Sequence, residues 1–332
     1  MTSKKIPIVF SANNYYVPYM AVTIQSIMEN ASRNRQYIFF VFHREIGNEN
    51  MDLLRKQIAV FPQFSIKFID VTQYIGEYNL FVSKHVTIET YFRLLIPEIL
   101  SEYQKAIYLD GDMICCTNIA SLYDIDLENN LLAAVRDVGV SWYYSPEHTN
   151  SIKSLYVVLL NLQNPDKYFC AGMTVFNIEL FRKTISTDKL FELATSREWQ
   201  VHDQDVLNFL AEGKTLLLPF HWNFMHTSLS KYLPEHLRKD YNEAEKNPKI
   251  IHYKPWDCAS YIPHFELFWK YATRTPFIDV ILERMEGKNL LSEQSFSDRI
   301  LDNITHRKGL GLKFILLDCL KAWLSRDKVN NE

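Results

Sequence analysis

Residues 108 to 114 read Tyr-Leu-Asp-Gly-Asp-Met-Ile, which sets Asp110 and Asp112 two positions apart at the end of an apolar run. Side chains alternate between the faces of an extended strand, so an extended backbone through Asp112 would aim both carboxylates the same way. Like charges held that close repel, and one is driven toward its protonated form unless a cation lies between them. A divalent ion resolves the conflict. Oxygen donors favour Mg²⁺ or Mn²⁺, which join protein carboxylates to phosphate oxygens. Gly111, between the acids, lets another group approach the backbone closely. Two solvated acids in a turn are the plain alternative for so short a motif, and the rest of the chain has to decide.

Two further clusters carry chemistry. Ile250-Ile-His-Tyr-Lys-Pro-Trp256 delivers His252, a metal ligand through its neutral imidazole, and Lys254, a cation suited to phosphate. A single histidine after a strand is more often an ordinary hydrogen-bonded structural residue. His202-Asp-Gln-Asp205 opens a helical pattern, where Asp203 also fits the plain role of an N-cap.

The elements that must hold these residues follow from hydropathy spacing. Branched and aromatic runs at 6–12, 37–42, 64–69 and 105–109 read as strands, and helical spacing at 19–29, 50–60 and 90–100 reads as helices between them. Alternating βαβ units imply a parallel, doubly wound sheet. Ligands of such sheets lie beyond the carboxyl ends of the strands, where Asp110 falls. Two more strands are expected at 131–135 and 173–176, separated by an aromatic stretch, 137–168, that fits a lid or an acceptor-binding segment. Helices follow at 178–182, 189–195 and 203–210. The sheet domain is expected to span 1–275, with a helical region at 276–332. Within that region, Leu312, Ile315, Leu316, Cys319, Leu320 and Trp323 share one face of a candidate helix at 311–324, flanked by Arg307, Lys308, Arg326 and Lys328. That stripe fits a peripheral membrane contact, and equally a face packed on the catalytic domain or on a second subunit.

Composition narrows the function. With 36 Lys+Arg against 39 Asp+Glu, the net charge of −3 argues against a nucleic-acid partner bound by bulk phosphate neutralisation. Five cysteines, odd in number and without a CxxC spacing, point to a reducing compartment. The first residues lack the apolar core of a secretion signal and no run reaches about 18 apolar residues, so a cytoplasmic protein is expected.

In chain order, IVFSANNYYVPYMAVTIQSI, HVTIETYFRLLIPEIL, YLDGDMI, CAGMTVFNIELFR, HDQDVLN and IIHYKPW together resemble glycosyltransferase family 8, the retaining group that includes lipopolysaccharide galactosyl- and glucosyltransferases and glycogenin. The resemblance implies an α/β chain of GT-A type: a Rossmann-like nucleotide-binding sheet flanked by helices, here with a C-terminal helical appendage. It implies a UDP-sugar donor and Mn²⁺ or Mg²⁺. By position, Ser11, Ala12, Asn13 and Tyr15 would hold uracil and ribose, and Arg93 would meet the donor. Asp110, Asp112 and His252 would hold the metal around Gly111, and Lys254 would meet the phosphates. Ala171 and Gly172 would contact the transferred sugar, Asp203 its hydroxyls, and Gln204 would lie near the anomeric carbon. Asp203 and Gln204 are thus the implied catalytic residues.

Three departures mark this chain. Asn13 and Asn14 stand where the family carries an acid, Cys170 stands where an asparagine is common, and Tyr253 alone separates His252 from Lys254. The implied activity is that of a metal-dependent hexosyltransferase moving glucose or galactose to an oligosaccharide or lipid-linked glycan in surface-polysaccharide or lipopolysaccharide assembly, on the inner face of the cell membrane. Its rivals are an inactive sugar-nucleotide-binding or scaffold protein and a haloacid-dehalogenase-type phosphotransferase, whose motif carries Thr where this chain has Ile114.

Overall fold

Strand β1 (Ile6–Ser11) alternates its apolar side chains between two buried layers, with Ile6, Ile8 and Phe10 in one core and Val9 in the other. A strand covered on both faces needs a continuous apolar run, which is why no polar alternation is visible there. The computed structural model describes residues 5–76, 78–82, 86–139, 160–253 and 262–286. After β1 come α1 (Val17–Asn30), β2 (Tyr37–His43), α2 (Asn48–Ala59), β3 (Phe64–Asp70), β4 (Lys105–Leu109), β5 (Met113–Cys115), β6 (Leu132–Arg136) and β7 (Phe169–Asn177). Helices α3 (Ile178–Thr184), α4 (Thr187–Thr195) and α5 (His202–Leu210) precede β8 (Thr215–Leu218), α6 (Glu235–Lys246), β9 (Ile250–His252), α7 (Phe265–Ala272) and α8 (Ile278–Glu286).

Among the described residues, seven strands form one sheet in the order β3-β2-β1-β4-β7-β6-β8, and β5 pairs with β9 in a separate two-stranded ribbon. The sheet is mostly parallel, but β7 runs antiparallel to both β4 and β6, which corrects the expectation of a wholly parallel sheet. Hydropathy spacing identifies a strand without giving its direction. The connection sets direction, and residues 140–159 of the β6–β7 connection lie outside the described residues.

The register of β7 matters most for the site. Ala134 faces Thr174, yet the next residue, Val135, faces Cys170, so Ala171, Gly172 and Met173 form a bulge relative to β6. Bulges bend a strand and re-aim its residues, commonly beside active sites. Here the bulged backbone stays tied to β4, with Met173 opposite Leu109 and the Asp110 N–H donating to the Gly172 carbonyl at 2.8 Å. The expected helix at 90–100 is instead a 3₁₀ segment, Ile88–Leu95, followed by one α-turn, Ile96–Ile99. Pro97 lies in the first turn of that α-turn, where its missing N–H leaves no hydrogen bond unmade.

Core packing continues past residue 275: Phe277, Ile281, Leu282 and Met285 join the layer that contains α1. Among the described residues, no helix is long and apolar enough to cross a membrane. The candidate helix at 311–324 and Lys254 lie outside the described residues.

Candidate functional site

Strand β4 ends at Leu109, and Asp110-Gly111-Asp112 is a turn into β5. The two carboxylates therefore converge through a turn and not by sharing one face of a strand. Polar residues buried in α1 hold that turn. The Thr23 hydroxyl donates to the Gly111 carbonyl at 2.9 Å and accepts from the Met113 N–H at 3.1 Å. Ser26 accepts from the Cys115 N–H at 2.9 Å, and Asn30 donates to the Cys115 carbonyl at 2.9 Å. Gly111 is needed for the close approach, since a Cβ there would meet the Met20 Cβ at 3.2 Å.

The β5–β9 ribbon brings in the third candidate ligand. Met113 pairs with His252, and the Tyr253 N–H donates to the Asp112 carbonyl at 2.8 Å. His252 Nε2 lies 3.3 Å from Asp112 Oδ1 and 3.8 Å from Asp110 Oδ2. One ligand atom from each of Asp110, Asp112 and His252 falls within 4.8 Å of the others. Burial pushes the Asp112 carboxyl up, His252 opposes the rise and Asp110 adds to it. Burial works against the charged form of His252, yet Asp112 holds the imidazole well above its ordinary range. Two carboxylates and one imidazole at this spacing fit Mn²⁺ or Mg²⁺.

Gly172 completes the shape. A Cβ at this position would lie 2.5 Å from His252 Cε1 and 2.7 Å from Asp110 Oδ2. Gly172→Ala is therefore expected to weaken Mn²⁺ binding by about 10- to 100-fold, the range for disturbing groups that orient metal ligands. Titration of the variant with Mn²⁺, followed by the free-ion electron paramagnetic resonance signal, reads this directly, and wild-type affinity would refute it.

Behind Asp110, Asp112 and His252 sits Arg93, whose side chain is buried. Its Nη2 meets Asp110 Oδ1 at 2.9 Å, its Nε forms an ion pair with Asp203 Oδ2 at 2.8 Å, and its Nη1 donates to the Ala171 carbonyl at 2.5 Å. The guanidinium also lies over the Tyr108 ring at 4.2 Å, and the Tyr108 hydroxyl donates to Asp110 at 3.0 Å. Burial works against the charge of Arg93, and Asp110 and Asp203 more than reverse this.

Asp203 is not an N-cap. Val201 caps α5, and its N–H donates to Asp205 Oδ2 at 2.8 Å. His202 adopts a left-handed φ of 52° before Asp203, which turns inward to Arg93 and Thr90. Burial raises the Asp203 carboxyl to about 6 from an ordinary 3.8, with Arg93 opposing. Because the native carboxyl holds its proton more tightly than the unfolded one, its contribution to stability is complete below the ordinary value. It is lost as pH rises through about 6. Between about pH 7 and about pH 5, the wild type should gain stability relative to Asp203→Asn. Urea unfolding of both proteins at the two pH values checks this, and a pH-independent difference would contradict it.

Gln204 accepts from the Ala171 N–H at 2.9 Å and donates to Asp137 Oδ2 at 2.8 Å and to the Tyr168 hydroxyl at 3.2 Å. Both ends of its amide thus secure the β7 bulge. Asn208 extends the brace, accepting from the Phe169 N–H at 2.8 Å and donating to its carbonyl at 2.9 Å. Cys170 is buried at the start of the bulge.

A cavity of about 180 Å³ leads away from the acids, lined by Ser11, Ala12 and Asn13 of the first loop, by Tyr16, and by Thr87, Glu89 and Thr90 opposite. Arg93, Asp110, Gly111 and Asp112 line it too. Tyr15 is absent from this lining: it is 43% exposed, with its ring under Arg284 at 4.3 Å and its carbonyl accepting from that guanidinium at 2.5 Å. Tyr16 takes the place expected of Tyr15. Tyr16, Glu89, Thr90, Asp137 and Tyr168 are the site residues that motif reading missed. Tyr16, Glu89 and Thr90 lie within recognised motifs, and Asp137 and Tyr168 bound the aromatic stretch expected as a lid or an acceptor-binding segment.

The pocket lies at the carboxyl ends of the parallel strands β1 and β4, beside the paired carboxylates and the histidine, in an α/β sheet of GT-A type. The chain belongs to glycosyl transferase family 8, whose model matches residues 7–259. General stress protein A of Bacillus subtilis is 27% identical over 281 residues, covering 81% of this chain and 93% of that protein. Glycosyltransferase GlyA of Streptococcus pneumoniae is 31% identical over 280 residues, covering 81% of this chain but 35% of that protein. The apo structure of the bifunctional glycosyltransferase WbbM superposes with a TM-score of 0.77 at 26% identity, over 86% of this chain and 52% of that one. This chain thus spans nearly the whole of the first relative, a third of the second and half of the third.

Proposed function

We propose that this chain is a metal-dependent, retaining hexosyltransferase that takes glucose or galactose from a UDP-sugar and passes it to an oligosaccharide or lipid-linked glycan in surface-polysaccharide or lipopolysaccharide assembly. The observation that carries this reading is the continuity of the cavity with Asp110 and Asp112, which gives a nucleoside and its diphosphate adjacent places. Bound there, Mn²⁺ or Mg²⁺ would neutralise the diphosphate as it leaves. The ligand set is Asp110, Asp112 and His252.

The protein's own groups set the geometry. Arg93 ties Asp110, Asp203 and the Ala171 carbonyl into one unit, so the metal side and the sugar side move together. Ala171 and Gly172 border the transferred hexose, and Asp203 takes its hydroxyls. Gln204 keeps the bulge in register beneath the anomeric carbon. An amide is a poor nucleophile, and both ends of this one are bonded, which favours transfer on the face from which the diphosphate departs. Lys254 is assigned to the phosphates on sequence position alone. A cytoplasmic setting accords with the free thiols of Cys115, Cys116 and Cys170.

Slow hydrolysis of donors needs no acceptor and tests the reading. With Mn²⁺ present, release of UDP is expected from UDP-glucose or UDP-galactose and not from UDP-N-acetylhexosamines. Hydrolysis of phosphomonoesters with all nucleotide sugars left intact would instead favour a phosphotransferase.

A further inference from the structure

We propose that Glu89 reads the nucleoside of the donor, accepting a hydrogen bond from a base N–H or a ribose hydroxyl. This rests on the nucleotide-sugar reading above and adds to it the residue that selects the nucleoside. Glu89 lies in the 3₁₀ segment Ile88–Leu95 and lines the same cavity as Asn13, Tyr16 and Asp112. It is only 9% exposed, and its Oε2 is buried without a hydrogen-bond partner among the described residues. Leaving a carboxylate oxygen unpaired away from water is costly, and native proteins seldom do so without a reason. Oε2 itself has almost no accessible surface, so a ligand brings the missing donor to the other carboxylate oxygen, or to Oε2 once the side chain turns toward the cavity.

Ser11 Oγ, a hydroxyl that can donate as well as accept, is likewise buried without a partner, and several other groups along the cavity are committed elsewhere. Asn13 Oδ1 accepts from the Tyr16 N–H at 3.1 Å. Asn14 faces away, donating to the Glu45 carbonyl and accepting from the Gly47 N–H and the Asn50 amide, each at 2.9 Å. Asp110 is held by Arg93 and Tyr108, and Asp112 faces His252. Among the described lining residues, Glu89 is the acid with a buried oxygen that meets no donor. Its charge would repel a phosphate, so its partner is an N–H or O–H of the nucleoside.

Calorimetry with excess Mn²⁺ tests this on the wild type and Glu89→Gln, using UDP, UDP methylated at the imide nitrogen of its base, and UDP lacking both ribose hydroxyls. Glu89→Gln should bind UDP about 10- to 100-fold more weakly, the range for a hydrogen bond to a charged group. That difference should vanish with one of the two analogues, which identifies base or ribose as the group read. Melting without nucleotide supplies a second readout. A carboxylate kept for ligand recognition leaves the melting temperature of Glu89→Gln equal or higher, whereas a structural carboxylate would lower it. Equal UDP affinity in the two proteins, a difference that survives both analogues, or a lowered melting temperature overturns the role of Glu89 while the nucleotide reading stands. A wild type that binds no UDP would remove both.

Discussion

Asp112→Asn should fold normally and cleave UDP-hexose about a hundred- to a thousandfold more slowly, the usual cost of losing one group that stabilises developing charge. Asn fills nearly the same volume, so no cavity opens. The Asp112 carboxylate lies beside Asp110 with His252 Nε2 at 3.3 Å, and burial already pushes its carboxyl up. Asn keeps an acceptor for His252 while the repulsion from Asp110 and the burial of a second charge are removed, so the melting temperature without metal should hold or rise. Mn²⁺ should no longer raise it. Stability and metal response moving in opposite directions would mark a ligand; a variant that melts lower yet still responds fully to Mn²⁺ would mark a structural acid.

Arg93 should behave in the opposite way. Arg93→Met leaves the buried Asp203 and the half-buried Asp110 without their shared cation, and breaking a buried pair by deleting one partner costs about 3–5 kcal/mol. The Ala171 carbonyl loses its donor as well. Arg93→Lys keeps the charge but cannot reproduce a planar fork that reaches Asp110, Asp203 and Ala171 at once, so it should recover only part of the loss. Urea unfolding separates the three proteins. Wild-type stability in Arg93→Met would mean that the network contributes little to the fold.

Much of the sheet was legible because both of its faces are buried. Long apolar runs gave β1, β2 and β4 nearly to the residue, while β3, an edge strand with mostly half-buried residues, followed from its branched and aromatic content. The first half of β7 was not legible: Cys170, Ala171 and Gly172 have little intrinsic strand preference, and side chains from α5 hold them in place. The short ribbon of β5 and β9 escaped for a related reason, being three residues on each side. At the site, residue types and spacing picked out Asp110, Asp112 and His252. Their convergence could not be read from strand alternation, because it depends on the turn that Thr23 and Gly111 hold against α1. Tyr15 and Tyr16 are equivalent by type. Only the path of the chain into α1, with Arg284 covering Tyr15, puts Tyr16 into the cavity. Glu89 lies inside a recognised motif, HVTIETYFRLLIPEIL, yet its type gave no signal, since an acid in an amphipathic stretch normally faces water and here the 3₁₀ geometry turns it inward.

The most direct measurement is a calorimetric titration of the full chain with UDP, run once with Mn²⁺ and once with a chelator. Binding should be clear with Mn²⁺, nearly lost with the chelator, and nearly lost again for Asp112→Asn in the presence of Mn²⁺. Metal-independent binding of UDP, or binding with Mn²⁺ that Asp112→Asn retains in full, would contradict a diphosphate held through an ion on Asp110, Asp112 and His252.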